Sequence, residues 1–155
     1  MNSQQAGMLI LHAGTAPEIT GAFFALESLR LLEPTQLRLL RLEHSVDLFC
    51  DYAKAAQIVE SLAASQSITF ELALFCHDGA DGIRFVYVPG LGLKSHQIDS
   101  AGNKVLNEFV LAKICALPSA VAIKRALDEA LAISWDHEIE SLAKSSWLIQ
   151  DRMVG

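Results

Sequence analysis

His12, Glu71, Arg84 and His96 are the residues of this chain best suited to chemistry. Imidazole titrates near neutrality and can serve as base, acid or metal ligand. A carboxylate beside a guanidinium can orient a substrate carboxylate or thioester. His12 ends the apolar run Met8-Leu-Ile-Leu11 and precedes Ala13-Gly14, just before an expected helix start. That junction turns imidazole and free amide N–H groups toward an anion; the other role open to His12 is a hydrogen bond to the backbone that closes the turn. Glu71 and Arg84 lie on two runs expected to pair across residues 77–82, within one or two residues of register. They then form a cross-strand ion pair or hold a ligand between them.

A second group sits in "YVPGLGLKSH", residues 87–96. Pro89, Gly90, Gly92, Lys94 and His96 either let the backbone approach a ligand or partner, or only bend the chain from one strand to the next. Trp135, in "WDHE" at 135–138, reads as a core or interface anchor. Catalytic motifs are missing. The sequence has no G-x-x-x-x-G-K-[ST], no G-x-G-x-x-G and no G-x-S-x-G. The five histidines never fall in H-x-x-x-H spacing or beside a cysteine pair. No catalytic residue, metal or cofactor is therefore assigned.

These side chains need elements to position them. Met8–Leu11 reads as a buried strand, and Thr15-Ala-Pro-Glu18 as the start of a helix running to Glu33-Pro34. Leu37–Leu42 reads as a second strand. Leu48, Tyr52, Ala55, Val59 and Leu62 keep helical spacing behind a cap at Asp47 or Asp51. Ile68–Cys76 alternates as a strand, with Ile83–Val88 as its antiparallel partner across 77–82. Leu93–Ile98 and Lys104–Leu106 form a second hairpin around Asp-Ser-Ala-Gly-Asn. Helices follow from Asn107 and, after Pro118-Ser119, from Val121 to about Lys144, with a break near Ser134-Trp135. The order predicts an α+β two-layer sandwich, a mixed sheet with two consecutive hairpins and helices mainly on one face. The opening strand–helix–strand also allows a parallel crossover. One domain over residues 1–155 is expected, ordered over about 7–147, with 148–155 as a tail.

Composition narrows the partners. The net charge of −6 opposes a phosphate backbone, so nucleic-acid binding is not expected. No apolar run approaches a membrane span, and the N-terminus has no signal-peptide character, so a cytoplasmic protein without membrane insertion is expected. Cys50, Cys76 and Cys115 sit among apolar neighbours and read as buried, reduced thiols. Hydrophobic residues make up 52% of the chain, enough to leave apolar surface for a partner or a homodimer. Lys94, Lys104, Lys113, Lys124 and Arg125 make one stretch basic, whereas residues 128–140 carry acids and no lysine or arginine. A basic stretch suits an acidic partner.

"MLILHAG" at 8–14, "RFVYVPGLGLK" at 84–94, "DSAGNKVLNE" at 99–108 and "ALAISWDHEIESL" at 130–142 together resemble the DUF3145 family of small actinobacterial proteins. The resemblance implies a cytoplasmic protein without an assigned reaction. It also implies a link to type II fatty-acid synthesis, beside whose genes relatives are encoded. An acidic acyl carrier protein is then a sensible partner for the basic stretch. The expected function is that of a non-catalytic accessory protein in fatty-acid or central carbon metabolism. The alternative is a small enzyme or ligand-binding domain with its pocket near His12, Glu71 and Arg84.

Overall fold

The structure, a computed structural model, describes residues 4–75 and 82–142. Six strands form one open sheet: β1 (Gln5–Ala13), β2 (Ser45–Cys50), β3 (Thr69–Leu74), β4 (Gly82–Val88), β5 (Gly92–Ile98) and β6 (Lys104–Val105), in the order β2-β1-β3-β4-β5-β6. The α+β class and the consecutive hairpins β3–β4 and β5–β6 are as expected. Every pairing among the described strands is antiparallel, so the sheet is not mixed. The parallel crossover that the opening elements allow is not formed: β2 returns antiparallel to β1, with Leu9 opposite Val46.

Three helices cover one face: α1 (Ala16–Ser28), α2 (Pro34–Glu43) and α3 (Tyr52–Ala63). Strand alternation sends Leu9, Leu11, Val46, Leu48, Phe70, Leu72, Leu74, Phe85 and Tyr87 into this layer. Phe23, Leu26, Leu40, Ile58 and Leu62 meet them from the helices. Among the described residues the other face is only partly covered. After α4 (Glu108–Cys115) and α5 (Ala120–Leu131) the chain is helical again over 133–142, here α6, and Trp135 and Ile139 pack on Val86 and Val88.

Residues 34–50 depart from expectation. The segment Leu37–Leu42 is helix, not strand, because Pro34 is pre-set for a first helical turn and the Gln36 side chain accepts from Glu33 N at 2.9 Å. Leu37 and Leu40 then face the core, while Leu39 and Leu42 are exposed. Residues 45–50 are strand, alternating Val46, Leu48 and Cys50 inward, and α3 begins only after Asp51, whose carboxylate accepts from Lys54 N at 2.8 Å. Helix α1 stops at Ser28, short of the expected Pro34 boundary, and Arg30 takes a positive φ of 56°.

The break between α5 and α6 is sharp. Ala132 adopts φ 53°, and the Asp128 carboxylate accepts from both Ser134 N and Ser134 Oγ at 2.7 Å. Asp128 thus caps α6 from the last turn of α5. Cys50 is buried and burial pushes its thiol pKa up, but Cys115 is exposed, contrary to expectation, because only Ile114 of α4 is buried. Cys76, the 77–82 turn up to residue 81, and the tail lie outside the described residues.

Candidate functional site

On the partly covered face the sheet register brings the chemistry-bearing residues into one row. Ile10 lies opposite Glu71, Ala73 opposite Arg84, and Arg84 opposite His96. His12 joins them through an irregularity: the β1–β3 register slips by one residue between Leu11 and Ala13. An extra residue in one strand re-aims side chains at that point, and His12 Nε2 ends 2.9 Å from Glu71 Oε2. His12 Nε2 therefore bonds the carboxylate of Glu71 rather than the backbone of its own turn.

Arg84 is the hub. Its Nη2 donates to Glu71 Oε2 at 3.0 Å and to Asp136 Oδ1 at 2.9 Å, and its Nη1 lies 3.0 Å from His96 Nε2. A guanidinium nitrogen can only donate, so His96 Nε2 accepts, and its Nδ1–H donates to Gln97 O at 3.2 Å. His96 is thereby held in one neutral tautomer. Burial lowers its pKa below the ordinary 6.5, and the charges of Arg84 and Lys104 act in the same direction. Asp136 also accepts from Lys104, whose Nζ reaches Leu131 O as well.

Burial by itself would raise the Glu71 carboxyl. Hydrogen bonds from His12 and Arg84, together with their charges, outweigh it and bring the pKa from 4.5 to about 2. For Arg84 burial acts against the charged form, and the two carboxylates overcome it, so its pKa rises. These shifts predict a two-stage loss of stability in acid. Glu71 binds its proton less readily folded than unfolded, so its contribution is complete above pH 4.5 and is lost as the pH falls through about 2. A shift of that size corresponds to roughly 3 kcal/mol. His96, also lowered, contributes fully above pH 6.5 and less as the pH drops from there through its folded-state pKa. Urea midpoints between pH 3 and 8 should fall in both windows. Glu71→Gln should flatten the lower one, and an unaltered slope below pH 4.5 in that variant would reject the assignment.

The remaining expected residues divide. Lys94 lies on the same sheet face as His96, two positions away and opposite Val86. Pro89, Gly90 and Gly92 stand apart, since roughly 16 Å of extended strand separates Pro89 from Arg84. Leu91 N donates to Val88 O at 3.0 Å around Pro89 and Gly90, whose φ is 91°, which makes a type II turn. Gly92 has the same φ, and its carbonyl accepts from Trp135 Nε1 at 2.9 Å. Trp135 is thus a buried anchor that fixes α6 to the corner.

Asp136 is not among the expected site residues, and Lys104 is expected only as part of the basic stretch. The one available signal was the position of Asp136 beside a core tryptophan, about 100° around a helix from it. Beside the network lies a hollow of ≈ 170 Å³, lined by Met8, Ile10, Ala73, Phe75 and Ile98 with Glu71, Arg84 and Gly102. Among the described residues no three His, Cys, Asp or Glu side chains are grouped to hold a metal ion. No described helix is long and apolar enough to cross a membrane.

No curated protein and no solved structure matches the chain. Residues 34–148 match the model of a family described as "Protein of unknown function (DUF3145)", a span that takes in Glu71, Arg84, His96 and Asp136 but not His12. Covering well over half of the sequence, that match establishes that the chain belongs to the DUF3145 family.

Proposed function

We propose that this protein is a non-catalytic cytoplasmic accessory protein that docks an acidic protein partner on α4, α5 and the groove between α5 and α6. One observation carries the reading: α5 has a well-segregated apolar stripe, yet none of its residues is buried. Around it Phe109 and Val121 are 72% and 69% exposed, and Leu111 and Leu117 are exposed too. Apolar surface gathered in this way favours a partner. Lys113, Lys124 and Arg125 are exposed, and no ion pair among the described residues engages them. Lys104, by contrast, is held by Asp136. The groove, ≈ 580 Å³, combines Val121 and Ile133 with Lys124, Arg125, Ser134 and His137, and the Asp128 carboxylate that also lines it is engaged by Ser134. An acidic helix with one or two apolar side chains complements it in shape and charge.

The polar row on the sheet favours a supporting role over proton transfer. A carboxyl held at about 2 is a weak base at neutral pH, and Arg84 is already engaged by three side chains. The family resemblance, rather than the geometry, makes an acyl carrier protein of fatty-acid synthesis the first partner to test.

Titration of a purified acyl carrier protein into the wild-type chain should give saturable, salt-sensitive binding. Combined reversal of Lys113, Lys124 and Arg125 to glutamate should weaken it at least tenfold without changing the circular dichroism. Absence of binding at 100-fold the protein concentration, or binding indifferent to the reversal, rejects the placement. Covering of the same face by a second copy is the rival outcome. Sedimentation would then show a dimer that Val121→Asp converts to monomer.

A further inference from the structure

We propose that the hollow beside Glu71 and Arg84 binds a small neutral molecule with an apolar body and one head group that both donates and accepts a hydrogen bond, such as a carboxamide or an alcohol. The site is separate from the α5–α6 groove and does not depend on what docks there.

Size sets the first limit. At ≈ 170 Å³ the hollow is comparable with an apolar cavity of about 150 Å³ that takes up benzene, and it is too small for a nucleotide or a long acyl chain. Met8, Ile10, Ala73, Phe75 and Ile98 supply apolar wall for a single ring or short branched chain.

The polar end sets the head group. Glu71 commits Oε2 to both His12 and Arg84, while no hydrogen bond among the described residues reaches Oε1. The Glu71 side chain is 19% exposed, so it is not sealed from a ligand. Arg84 engages Nη2 twice and Nη1 once, which leaves two of its five N–H groups for other acceptors. A carboxamide answers both needs, its N–H toward Glu71 and its carbonyl toward Arg84.

Charge sets the last limit. The carboxylate and guanidinium lie 3.0 Å apart and compensate each other. A ligand carboxylate meets the charge of Glu71, an ammonium meets that of Arg84, and either surrenders hydration to enter an apolar hollow. A neutral head avoids both penalties.

Titrations of the labelled full chain with benzamide, benzoate and benzylamine, followed by backbone and methyl NMR, test the proposal. Benzamide should give saturating shifts at Met8, Ile10 and Ala73, with a dissociation constant at least tenfold lower than for either charged analogue. Ala73→Leu, which adds bulk to the wall of the hollow without altering a charged residue, should remove the benzamide shifts. Non-saturating shifts, equal affinity for benzoate or benzylamine, or undiminished binding in a folded Ala73→Leu protein would each overturn it. Should that variant not fold, the comparison of the three probes on the wild-type chain still decides. None of these readouts involves Lys113, Lys124 or Arg125, so this site and the partner surface fail or stand separately.

Discussion

Replacement of Arg84 by methionine is expected to lower the free energy of unfolding by about 3 kcal/mol. The side chain of Arg84 is 12% exposed, and its guanidinium compensates Glu71 and Asp136 together. Methionine keeps the packing of the stem but leaves two carboxylates of low exposure without their shared partner. It also strips the Nε2 acceptor of His96 of its donor. Lys104 can retain Asp136 and His12 can retain Glu71, which places the loss near the lower end of the range for a broken buried pair. Urea unfolding measures it. Adding Glu71→Leu and Asp136→Leu to the methionine variant should recover much of the loss, because an apolar row needs no compensation. A loss under 1 kcal/mol in Arg84→Met would mean that the row is largely solvated and does not hold α6.

The second large effect is expected at Trp135. Trp135→Ala should cost about 3–5 kcal/mol, the usual range for a large aromatic side chain removed from a core. Here the indole is 8% exposed and packs with Val86, Val88 and Ile139 in a cluster separate from the main core. That small cluster, the Trp135–Gly92 bond and the pairs that Asp136 makes with Arg84 and Lys104 fix α6 to the sheet, so the loss should appear first as local opening. Amide exchange in residues 133–142 should accelerate well before exchange in β1 or β3. Trp135→Phe keeps a ring in the pocket and removes the 2.9 Å bond to Gly92 O, at a cost of about 1 kcal/mol. Equal protection of α6 and β3 in the alanine variant would show that the two layers unfold together.

Legibility varied along the chain for physical reasons. Residues 69–74 read correctly as strand because apolar and polar positions alternate there, and 83–88 because β-branched and aromatic residues dominate. The helices after 107 were marked by side chains that do cap them: Asn107 accepts from Phe109 N, and Ser119 accepts from Ala122 N. The strand expected over Leu37–Leu42 already departs from alternation, since Arg38 and Arg41 fall on opposite strand faces but on one face of a helix. The start signal that settles it, Glu33-Pro34-Thr-Gln36, also reads as a helix end, since proline suits either place.

Within the candidate row, the Glu71–Arg84 pair was readable from hairpin symmetry to within the two-residue offset that the register shows. His12 was identified as notable, but the reason lies in a bulge that no local residue type announces. Asp136 carries no signal of its partner, because helical spacing turns it away from Trp135 without saying what stands on that side.

The sequence by itself determined the α+β class, the hairpins, most helix starts and part of the polar row, namely His12, Glu71, Arg84 and His96, since each follows from short-range periodicity, capping and residue type. Only the tertiary structure decided that β2 returns antiparallel to an edge, that a bulge carries His12 to Glu71, and that α6 crosses to the second face. There it brings Asp136 to an arginine 52 residues earlier in the chain. Those outcomes depend on which faces must be buried against one another, a balance of contacts between segments that no single segment encodes.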